Sequence, residues 1–574
     1  MPVHNADIAT IFEEIADLLE IKGENPFRIR AYRNAARTLR ELGQELSSMI
    51  ARGEDLAEIP TIGKDLAAKI QDIVATGTTP LLGKLRQDLP PTLTELLRIP
   101  GLGPKRINVL YQECDIHTVE QLHRAALDGR LRTLPGFGAK TEQHILDAIR
   151  ARPALTNRFK LAAAAQYADA LVDYLQHSPV VKRVIVAGSY RRAKDTVGDL
   201  DILVTTSARS RLIDHFVNYG EVAEVLAKGS TRASVRLQSK LQVDLRVVPE
   251  ESYGAALHYF TGSKTHNIAI RELGQQRGLK INEYGVFCRD QRIAGETEES
   301  VFTSVGLPFI PPELRENRGE IAAARDGKLP RLVELSDLKG DLHAHTTATD
   351  GRNTLEEMAH AAHERGFEYL AITEHSRHVT IAHGLDERRL LTQIEAIDRL
   401  NQRLLGITLL KSIEVDILDD GKLDLPDRVL ARLDLVVASI HSRMHLSRQT
   451  QTERILRAMD RPYFTILAHP TGRLIQEREP YDVDMPRIIQ HPLERGCFLE
   501  LNAHPQPMDL LDTHCQLAKQ EGVLISINSD AHSVLDFHHL RFGVGQARRG
   551  WLEKEDVLNT RPLRSLLPLL KRAV

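Results

Sequence analysis

The sequence predicts a multidomain chain in which a helical N-terminal region is followed by a mixed α/β region and a C-terminal (β/α) barrel. Three observations carry this prediction. Up to about residue 90, apolar residues recur at helical spacing. A short glycine-containing pattern then occurs three times before residue 150. After residue 337, seven apolar runs alternate with helical patterns and each run ends in polar side chains, as strands of a (β/α) barrel do.

Composition sets the broad class of the protein. A chain of 574 residues is long enough for three or more domains, and 42% apolar with 27% charged residues is ordinary for globular proteins. The net charge of −3 means that any DNA binding must come from local patches and backbone donors. Four cysteines without paired spacing argue against disulfides and against a thiolate zinc site. Because no signal peptide or membrane span is evident, we expect a cytoplasmic protein with no membrane partner.

The N-terminal region contains a repeated turn. After the helical stretches NADIATIFEEIADLLEI and NPFRIRAYRNAARTLREL come IPTIGKDLAAKI, IPGLGPKRINVL and LPGFGAKTEQHI. The repeat resembles the helix-hairpin-helix motif, in which glycines allow a tight turn and the next helix directs free N–H groups at a phosphate. Such contacts ignore base sequence. We therefore expect non-specific DNA binding, the alternative being plain turns between packed helices. Thr61 replaces a glycine in the first copy, and the glycines of the three copies are Gly63, Gly101, Gly103, Gly136 and Gly138.

The stretch VGDLDILVTTS, residues 197–207, predicts a strand that carries two carboxylates on one face. Asp199 and Asp201 are two residues apart, so they share a face, where they repel each other and lose hydration. A bound cation removes this conflict; the alternative is an edge strand with solvated carboxylates. In KLQVDLRVV, Asp244 lies opposite an apolar face. If the two strands pair, three catalytic carboxylates can hold two Mg²⁺ ions for in-line phosphoryl displacement.

A turn upstream of these carboxylates is suited to a phosphate. Gly188 allows close backbone approach, Ser189 donates and Arg192 adds positive charge. Gly198, directly before Asp199, is assigned to the same nucleotide-binding group. Gly-Ser followed by Asp-x-Asp and a later Asp is similar to the polymerase β-like nucleotidyltransferase superfamily. Because that superfamily also includes RNA-tailing enzymes, the motif alone does not choose a substrate.

The stretch HYFTGSKTHNIAIRELGQQRGLKINEYGVF, residues 258–287, resembles the nucleotide-binding subdomain of family X DNA polymerases. The resemblance implies that Tyr259 and Phe260 pack against the sugar and exclude a ribose 2′-hydroxyl, and that Gly262 permits the turn this pair needs. It also implies that Asn267 contacts the minor-groove edge of the incoming base and Arg271 the template side. Gapped or primer-template DNA and dNTPs are the implied partners.

A lyase function is less well matched. In the family resemblance Lys69 aligns with the lysine of animal polymerase β that forms a Schiff base with a 5′-deoxyribose phosphate. The supporting lysine four residues earlier is Asp65 here, and other pocket positions are Phe27 and Arg28. A nucleophilic lysine needs burial or a cationic neighbour, whereas Asp65 acts the opposite way. The sequence therefore favours a solvated helix lysine or a simple 5′-phosphate ligand on the DNA, with a Schiff-base lysine as the alternative.

Sixteen of the 24 histidines lie after residue 336, which indicates a second metal site. The apolar runs YLAITEH, LLKSIEVD, LDLVVASIH, YFTILAH, CFLELNAH and VLISINSDAH, together with GDLHAH, all end in or beside residues that can bind a metal. Single histidines of this kind are usually surface or capping residues, but seven coincident placements make that reading improbable. The absence of thiolates favours Mn²⁺ or Zn²⁺, two or three ions, acting on a phosphoester.

These runs resemble the polymerase and histidinol phosphatase (PHP) domain, a distorted (β/α)7 barrel. Across its whole length the chain is similar to bacterial family X DNA polymerases, which join a polymerase β-like palm and thumb to this domain. The resemblance implies a monomeric, nucleoid-associated enzyme of base excision repair whose PHP domain is a 3′–5′ exonuclease that also processes 3′ ends. Asn502, His504, His378 and His383 are further candidates for supporting the ligands or binding substrate. The matched ligands, none of them missing, are His343, His345, Asp350, His375, Glu414, His441, His469, Asp530 and His532.

The expected domains follow the motifs. They are a helical DNA-end-binding domain at 1–85, a helix-hairpin-helix subdomain at 86–152, a palm at 153–250, a nucleotide-binding subdomain at 251–315, a polar linker at 316–336 and the PHP domain at 337–574. Two other functions compete with a gap-filling polymerase. An RNA-tailing nucleotidyltransferase fused to a phosphatase is disfavoured by Tyr259–Phe260 and the repeated turns. A non-catalytic DNA-end scaffold is disfavoured by the intact carboxylates and metal ligands.

Overall fold

The computed structural model describes residues 3, 5–42, 46–90, 92–97, 99, 102–150 and 158–571. Gly101, which the sequence assigns to the second repeated turn, lies outside the described residues. Among those described, no helix combines the length and the apolarity needed to cross a bilayer.

The N-terminal region is helical, as predicted. One apolar core joins its helices from Val3 to Leu146, and within it the rings of Phe12 and Tyr32 meet edge to face at 5.4 Å. The second helix begins with a proline behind the capping side chain of Asn25, which accepts from the N–H of Phe27. The helices are α1 (Asn5–Ile21), α2 (Pro26–Glu41), α3 (Leu46–Ala51), α4 (Lys64–Thr76), α5 (Pro80–Asp88), α6 (Leu93–Leu96), α7 (Pro104–Cys114), α8 (Val119–Leu127) and α9 (Ala139–Arg150).

The middle of the chain forms a five-stranded sheet in the order β2-β4-β7-β6-β5, in which only β4 and β7 pair in parallel. Burial alternates along β7: Val243, Leu245 and Val247 are buried, while the intervening residues are half-buried. This is the alternation that the sequence predicts. The elements are β1 (Phe159–Lys160), α10 (Leu161–Gln176), β2 (Val181–Val186), α11 (Gly188–Arg191), β3 (Thr196–Val197), β4 (Asp199–Thr206), α12 (Arg209–Val217), β5 (Val222–Lys228), β6 (Arg232–Leu237) and β7 (Gln242–Val247).

A smaller unit with its own apolar core follows the sheet. Its antiparallel three-stranded sheet has the order β10-β9-β8. Its elements are α13 (Tyr253–Thr261), α14 (Lys264–Gln276), β8 (Leu279–Asn282), β9 (Gly285–Cys288), β10 (Gln291–Ala294), α15 (Glu298–Ser304) and, further along the chain, α16 (Glu320–Arg325).

The segment 316–336 is packed, in contrast to the polar linker that the sequence predicts. Glu320 is fully buried and its carboxylate lies 2.7 Å from Nδ1 of His266. Val333 is also fully buried, and its N–H donates to the carbonyl of Leu552 at 3.0 Å. Part of this segment is therefore packed against residues distant in sequence, which composition alone does not reveal.

The C-terminal region is built from parallel strands with intervening helices. The strands form two parallel sheets, one in the order β11-β12-β13 and the other in the order β14-β15-β16-β17-β18. Two residues separate β13 from β14 and so connect the two sheets. A parallel bridge from Ala344 to Ala531 returns the pairing to its first strand. The strands are β11 (Gly340–Ala344), β12 (Tyr369–Ile372), β13 (Thr408–Lys411), β14 (Glu414–Asp416), β15 (Val437–Ser439), β16 (Ile466–Leu467), β17 (Phe498–Asn502) and β18 (Ile525–Asn528).

These strands are buried almost throughout, as expected for parallel strands covered by helices. The helices are α17 (Leu355–Glu364), α18 (Glu387–Asn401), α19 (Asp427–Leu430), α20 (Arg448–Met459), α21 (Met485–Arg495), α22 (Asp512–Glu521), α23 (Leu540–Arg549) and α24 (Leu563–Leu570). The carboxyl ends of the strands therefore meet at one end of this region, which is where the predicted ligands lie.

Candidate active sites

The three predicted carboxylates of the first site lie on the paired strands β4 and β7. Asp201 is directly opposite Asp244 in the parallel register, and Asp199 lies two residues earlier on the same face. Asp244 accepts hydrogen bonds from Ser234 Oγ and, at 2.9 Å, from Gln242 Nε2. The sequence predicts this meeting, and the strand register produces it.

These carboxylates are in electrostatic conflict. Burial raises the pKa of Asp201 to about 7, and the charges of Asp199 and Asp244 add to the effect. Loss of hydration, followed by the charge of Asp244, also raises the pKa of Asp199. Hard oxygen ligands that repel one another are what Mg²⁺ binds and neutralises, so the donor set fits that ion.

The phosphate turn begins at Gly188, which has φ +64°. A Cβ on this residue would lie 2.8 Å from Oδ2 of Asp201, so only glycine fits beside the carboxylate. Ser189 follows in the first turn of α11, and Gly198 lies between β3 and β4. The turn and the carboxylates thus form one continuous surface.

Arg192 leaves this turn toward the smaller unit. Its Nε lies 3.0 Å from a carboxylate oxygen of Glu316, and its Nη1 donates to the carbonyl of Thr261. Gly262 has φ +69°, and a Cβ there would lie 3.1 Å from Nη1 of Arg192. The predicted arginine and the predicted glycine are therefore neighbours.

The aromatic pair lies at the end of α13. The rings of Tyr259 and Phe260 meet edge to face at 5.0 Å. Asn267 Nδ2 donates to the carbonyl of Tyr259 at 2.7 Å, and the guanidinium of Arg271 lies 5.2 Å from the centre of the Tyr259 ring. Arg246, on the same face of β7 as the carboxylates, stacks on Phe260 at 4.3 Å, a contact that the motif does not predict. The pair is thereby fixed next to the first site.

All three repeated turns lead directly into helices. Gly63 and Gly103 precede α4 and α7 as N-caps, and Gly138 precedes α9. A Cβ at any of the three would meet nothing within 4 Å, so the space in front of each helix is open. Thr61 has φ +58°, close to the φ +80° of Gly136, so the first copy keeps the left-handed turn although it lacks the glycine.

Lys69 does not have the surroundings of a nucleophile. Its ammonium group pairs with the carboxylate of Asp65 one helical turn away. Phe27 is 74% exposed and lies under the guanidinium of Arg30 at 4.6 Å. Beside Lys69 the structure thus places an anion in the position where a cationic neighbour would activate a Schiff-base lysine.

The second site gathers around Glu414. Its Oε2 lies 2.7 Å from His375 Nδ1 and 3.6 Å from His343 Nε2. Its Oε1 lies 3.0 Å from His469 Nε2 and 3.4 Å from His441 Nε2. Side chains from the ends of four different strands therefore contact one carboxylate.

The remaining ligands adjoin this centre. Asp530 Oδ1 lies 3.2 Å from His345 Nε2, and Asp350 lies between His375 at 3.5 Å and His532 at 3.6 Å. Within 4.8 Å of one another lie the ligand atoms of three groups: His345, Asp350, His375 and His532; His343, His345 and Asp530; His375, Glu414 and His441. The nine residues that the sequence predicts are therefore brought together.

The cluster fits bound cations. Burial alone would lower the pKa of His343, but the charges of Asp530, Glu500 and Glu414 outweigh it and raise that pKa well above its usual value. Burial, with the neighbouring imidazoles, lowers the pKa of His345 to about 3. Within the described part of the chain, buried atoms without a hydrogen-bond partner include His343 Nε2 and His345 Nδ1. Nitrogen and carboxylate ligands of this kind suit Mn²⁺ or Zn²⁺.

Two buried carboxylates that the sequence reasoning missed hold the ligands in place. Glu500 lies 2.7 Å from His343 Nδ1 and accepts from the N–H of His469 at 2.9 Å. Asp416 lies 3.1 Å from Nδ1 of His441. Carboxylates that hydrogen-bond a ligating imidazole orient the ring. Both are acidic residues inside strands that read as buried, and that was the available signal.

The four additional candidates have different surroundings. Asn502 Nδ2 donates to Asp530 at 3.0 Å, which supports a ligand as predicted. Nε2 of His378 lies 3.5 Å from Asp416 at the edge of the cluster. The ring of His504 instead packs against another histidine, His539, at 5.1 Å. His383 is exposed.

Comparison with known families finds matches along most of the chain. Matches are found to a helix-hairpin-helix domain at residues 3–79, a SAM-like helix-hairpin-helix tandem at 93–151, the DNA polymerase beta palm at 162–255, the DNA polymerase beta thumb at 256–316 and the PHP domain at 341–504. The fold and the two centres therefore define a polymerase β-like nucleotidyltransferase joined to a PHP domain.

Individual relatives narrow this class. The DNA polymerase/3'-5' exonuclease PolX of Bacillus subtilis (strain 168) is 38% identical over 577 residues, which cover 99% of this chain and 100% of that protein. A probable phosphatase of Thermoanaerobacter sp. (strain X514) is 28% identical over 232 residues, which cover 38% of this chain and 89% of that protein. The chain belongs to the bacterial family X DNA polymerases that carry a C-terminal PHP domain, as the sequence predicts.

Proposed function

We propose that this chain is a DNA-directed DNA polymerase that fills short gaps during DNA repair, and that its PHP domain is a 3′–5′ exonuclease that also processes blocked 3′ ends. The observation that carries the proposal is the pairing of Asp201 with Asp244 beside Gly188, in a chain that holds a second, histidine-rich centre elsewhere. The name of the Bacillus subtilis relative joins the same two activities.

In the polymerase reaction, Asp199, Asp201 and Asp244 would hold two Mg²⁺ ions, which would supply charge stabilisation for in-line displacement at the α-phosphate. We assign to Asp244 the role of accepting the proton of the primer 3′-hydroxyl. The Gly188–Ser189 turn and Arg192 bind the triphosphate through backbone approach, a hydroxyl donor and a guanidinium.

Sugar choice rests on Tyr259. The hydrogen bond from Asn267 to the Tyr259 carbonyl and the Arg271 guanidinium near the ring support a fixed position for this residue. A fixed ring and backbone crowd the 2′ position of the incoming nucleotide. This favours dNTPs over NTPs and argues against RNA tailing.

DNA is bound mainly through phosphates. The open N-termini of α4, α7 and α9 support phosphate contacts by backbone N–H groups, which suits gaps of any sequence. The N-terminal helices bind the downstream end of a gap, with Lys69 as a 5′-phosphate ligand and not as a lyase nucleophile. The net charge of −3 agrees with binding through local donors.

The PHP centre hydrolyses phosphodiesters at DNA 3′ ends. Its nine ligands would hold two or three Mn²⁺ or Zn²⁺ ions, and the chemistry these would supply is activation of water and of the phosphodiester. Glu500 and Asp416 keep the imidazoles of His343 and His441 oriented for this role. Because gapped DNA is its proposed substrate, we further propose that the protein works on the nucleoid in the cytoplasm, in base excision repair. We also propose that it is a monomer.

One incubation tests the proposal. The protein is mixed with a duplex that contains a one-nucleotide gap, with dNTPs, with NTPs or without nucleotides, in Mg²⁺ and then in Mn²⁺. We expect gap filling with dNTPs in Mg²⁺ and shortening of the 3′ end without nucleotides in Mn²⁺. Preference for NTPs and extension of single-stranded RNA would instead identify a tailing enzyme, and DNA binding without turnover would identify a scaffold.

A further inference from the structure

The PHP domain holds the segment that follows the phosphate turn, residues 192–195. Arg549 Nη1 on α23 donates to the carbonyl of Arg192 at 2.8 Å. A Cβ on Gly545 of the same helix would lie 3.1 Å from Cβ of Ala193, so the helix approaches the segment closely. Arg473, on a loop of the same domain, pairs with Asp195 at 3.0 Å. Three approaches from one domain thus hold Arg192, Ala193 and Asp195, the segment that directly follows the phosphate turn of the other domain.

The contacts continue as a partly buried chain of alternating charges. Glu316 lies 3.0 Å from Nε of Arg192 and 3.0 Å from Nη1 of Arg549. The other arm of Arg549 lies 2.7 Å from Asp512, which also pairs with Arg318 at 2.9 Å. The side chain of Arg549 is only 4% exposed, so solvent screens this network weakly.

The sharing of Glu316 between Arg192 and Arg549 determines how strongly Arg192 is held by that carboxylate. Glu316 sits between two guanidinium groups, and their charges outweigh its burial and lower its pKa. While Arg549 is present, Glu316 divides its interaction between both arginines. Without Arg549, the carboxylate has Arg192 as its one close guanidinium among the contacts above, and it competes with an incoming triphosphate for that charge.

We propose that Arg549 is a positioning residue of the polymerase reaction, through which the PHP domain keeps Arg192 available to the triphosphate of the incoming nucleotide. The inference rests on the proposed polymerase function and goes beyond it, because it makes one domain part of the other's substrate site. Arg549 acts through Arg192 and Glu316 and does not touch the reacting atoms.

The test is steady-state filling of a one-nucleotide gap by the full-length protein. In Arg549→Gln we expect KM for dNTP to rise about fivefold to tenfold, the range of a modest coupling between sites, with kcat within about twofold. Adding Glu316→Gln to this variant removes the competing carboxylate, so KM should return to within about threefold of the wild type. A merely structural defect would not be repaired by a second substitution in the same network.

The matched control is Arg548→Gln. Arg548 lies on the same helix, but it pairs with Glu313 at 2.7 Å and donates to the carbonyl of Val333, not to the turn. We expect KM for dNTP within about twofold of the wild type in this control. Shortening of 3′ ends in Mn²⁺ should be normal in both single variants and reports that the PHP domain is folded.

Each outcome has one meaning. An unchanged KM in Arg549→Gln, or an equal rise in Arg548→Gln, overturns the inference. If Arg549→Gln does not fold, Arg549→Lys decides: its single ammonium cannot reach both Arg192 and Asp512, so KM should rise at least about threefold, and a wild-type KM would contradict us. A wild-type protein that incorporates no dNTP would refute the proposed function itself, which is a separate result.

Discussion

Replacing Gly188 by alanine perturbs the polymerase site at a single point. Gly188 has φ +64°, and a Cβ there would lie 2.8 Å from Oδ2 of Asp201. The left-handed backbone costs an alanine about 1–2 kcal/mol. The methyl group must also gain about 0.6 Å, because ordinary contact begins at 3.4 Å. The carboxylate or the turn must supply that movement.

The consequence for catalysis follows from this displacement. A misplacement of 1 Å at a reacting centre can cost about 100-fold, so a shift of about 0.6 Å predicts a loss of roughly 10-fold to 100-fold in kcat for gap filling. The assay is single-nucleotide gap filling in Mg²⁺ at saturating dNTP. Shortening of 3′ ends in Mn²⁺ should be unaffected, since the PHP ligands belong to another domain.

Gly278 supplies the matched control for this substitution. It has φ +71°, but a Cβ there would meet nothing within 4 Å. Gly278→Ala therefore pays the same backbone cost without touching a carboxylate, and it should fill gaps within about twofold of the wild type. Wild-type kcat in Gly188→Ala, or an equal loss in Gly278→Ala, would refute the reasoning.

Three further predictions concern the polymerase site. Asp244→Ala should lower gap filling at least about 100-fold, because the primer 3′-hydroxyl would lose both the metal that Asp244 holds and its proton acceptor. Binding of gapped DNA in a gel-shift assay should persist, and a wild-type rate of gap filling would refute the assignment. Tyr259→Ala should raise NTP use relative to dNTP use, measured as the ratio of kcat/KM values, and an unchanged ratio would place sugar selection in the backbone or elsewhere. Because burial raises the pKa of Asp201 to about 7, the carboxyl is mainly protonated below that pH, and Mg²⁺ must displace the proton. The half-saturating Mg²⁺ concentration for gap filling should thus rise up to about tenfold per pH unit below 7 and level off above 8; a flat profile from pH 6 to 8 would contradict this.

Much of the first site was predictable because strand geometry is simple. Period-two alternation puts Asp199 and Asp201 on one face and Asp244 on the polar face of its own strand. Their register, Asp201 opposite Asp244, required only that the two strands be neighbours. Gly188 was predicted for close backbone approach to a phosphate, and the structure adds a second reason, since a Cβ there would lie 2.8 Å from Oδ2 of Asp201.

The features that the sequence reasoning missed depend on contacts between distant residues. Glu500 and Asp416 look like ordinary strand residues until the fold brings them against His343 and His441. The segment 316–336 looks polar, yet Glu320 is buried, because its carboxylate accepts from the N–H groups of Asn317 and Arg318 and lies 2.7 Å from Nδ1 of His266. Thr61 shows the converse: a β-branched residue, which disfavours positive φ, adopts the left-handed turn, and its hydroxyl lies 2.9 Å from that of Thr38.

The central claim is that one chain holds two separate centres for phosphoryl transfer, and a double dissociation tests it most directly. His343→Ala and Asp199→Ala are each assayed for gap filling in Mg²⁺ and for shortening of a 3′ end in Mn²⁺. We predict that His343→Ala loses at least about 100-fold in 3′ shortening and keeps gap filling, and that Asp199→Ala shows the reverse. Shortening that disappears in Asp199→Ala and persists in His343→Ala would place the nuclease in the wrong domain and contradict the account.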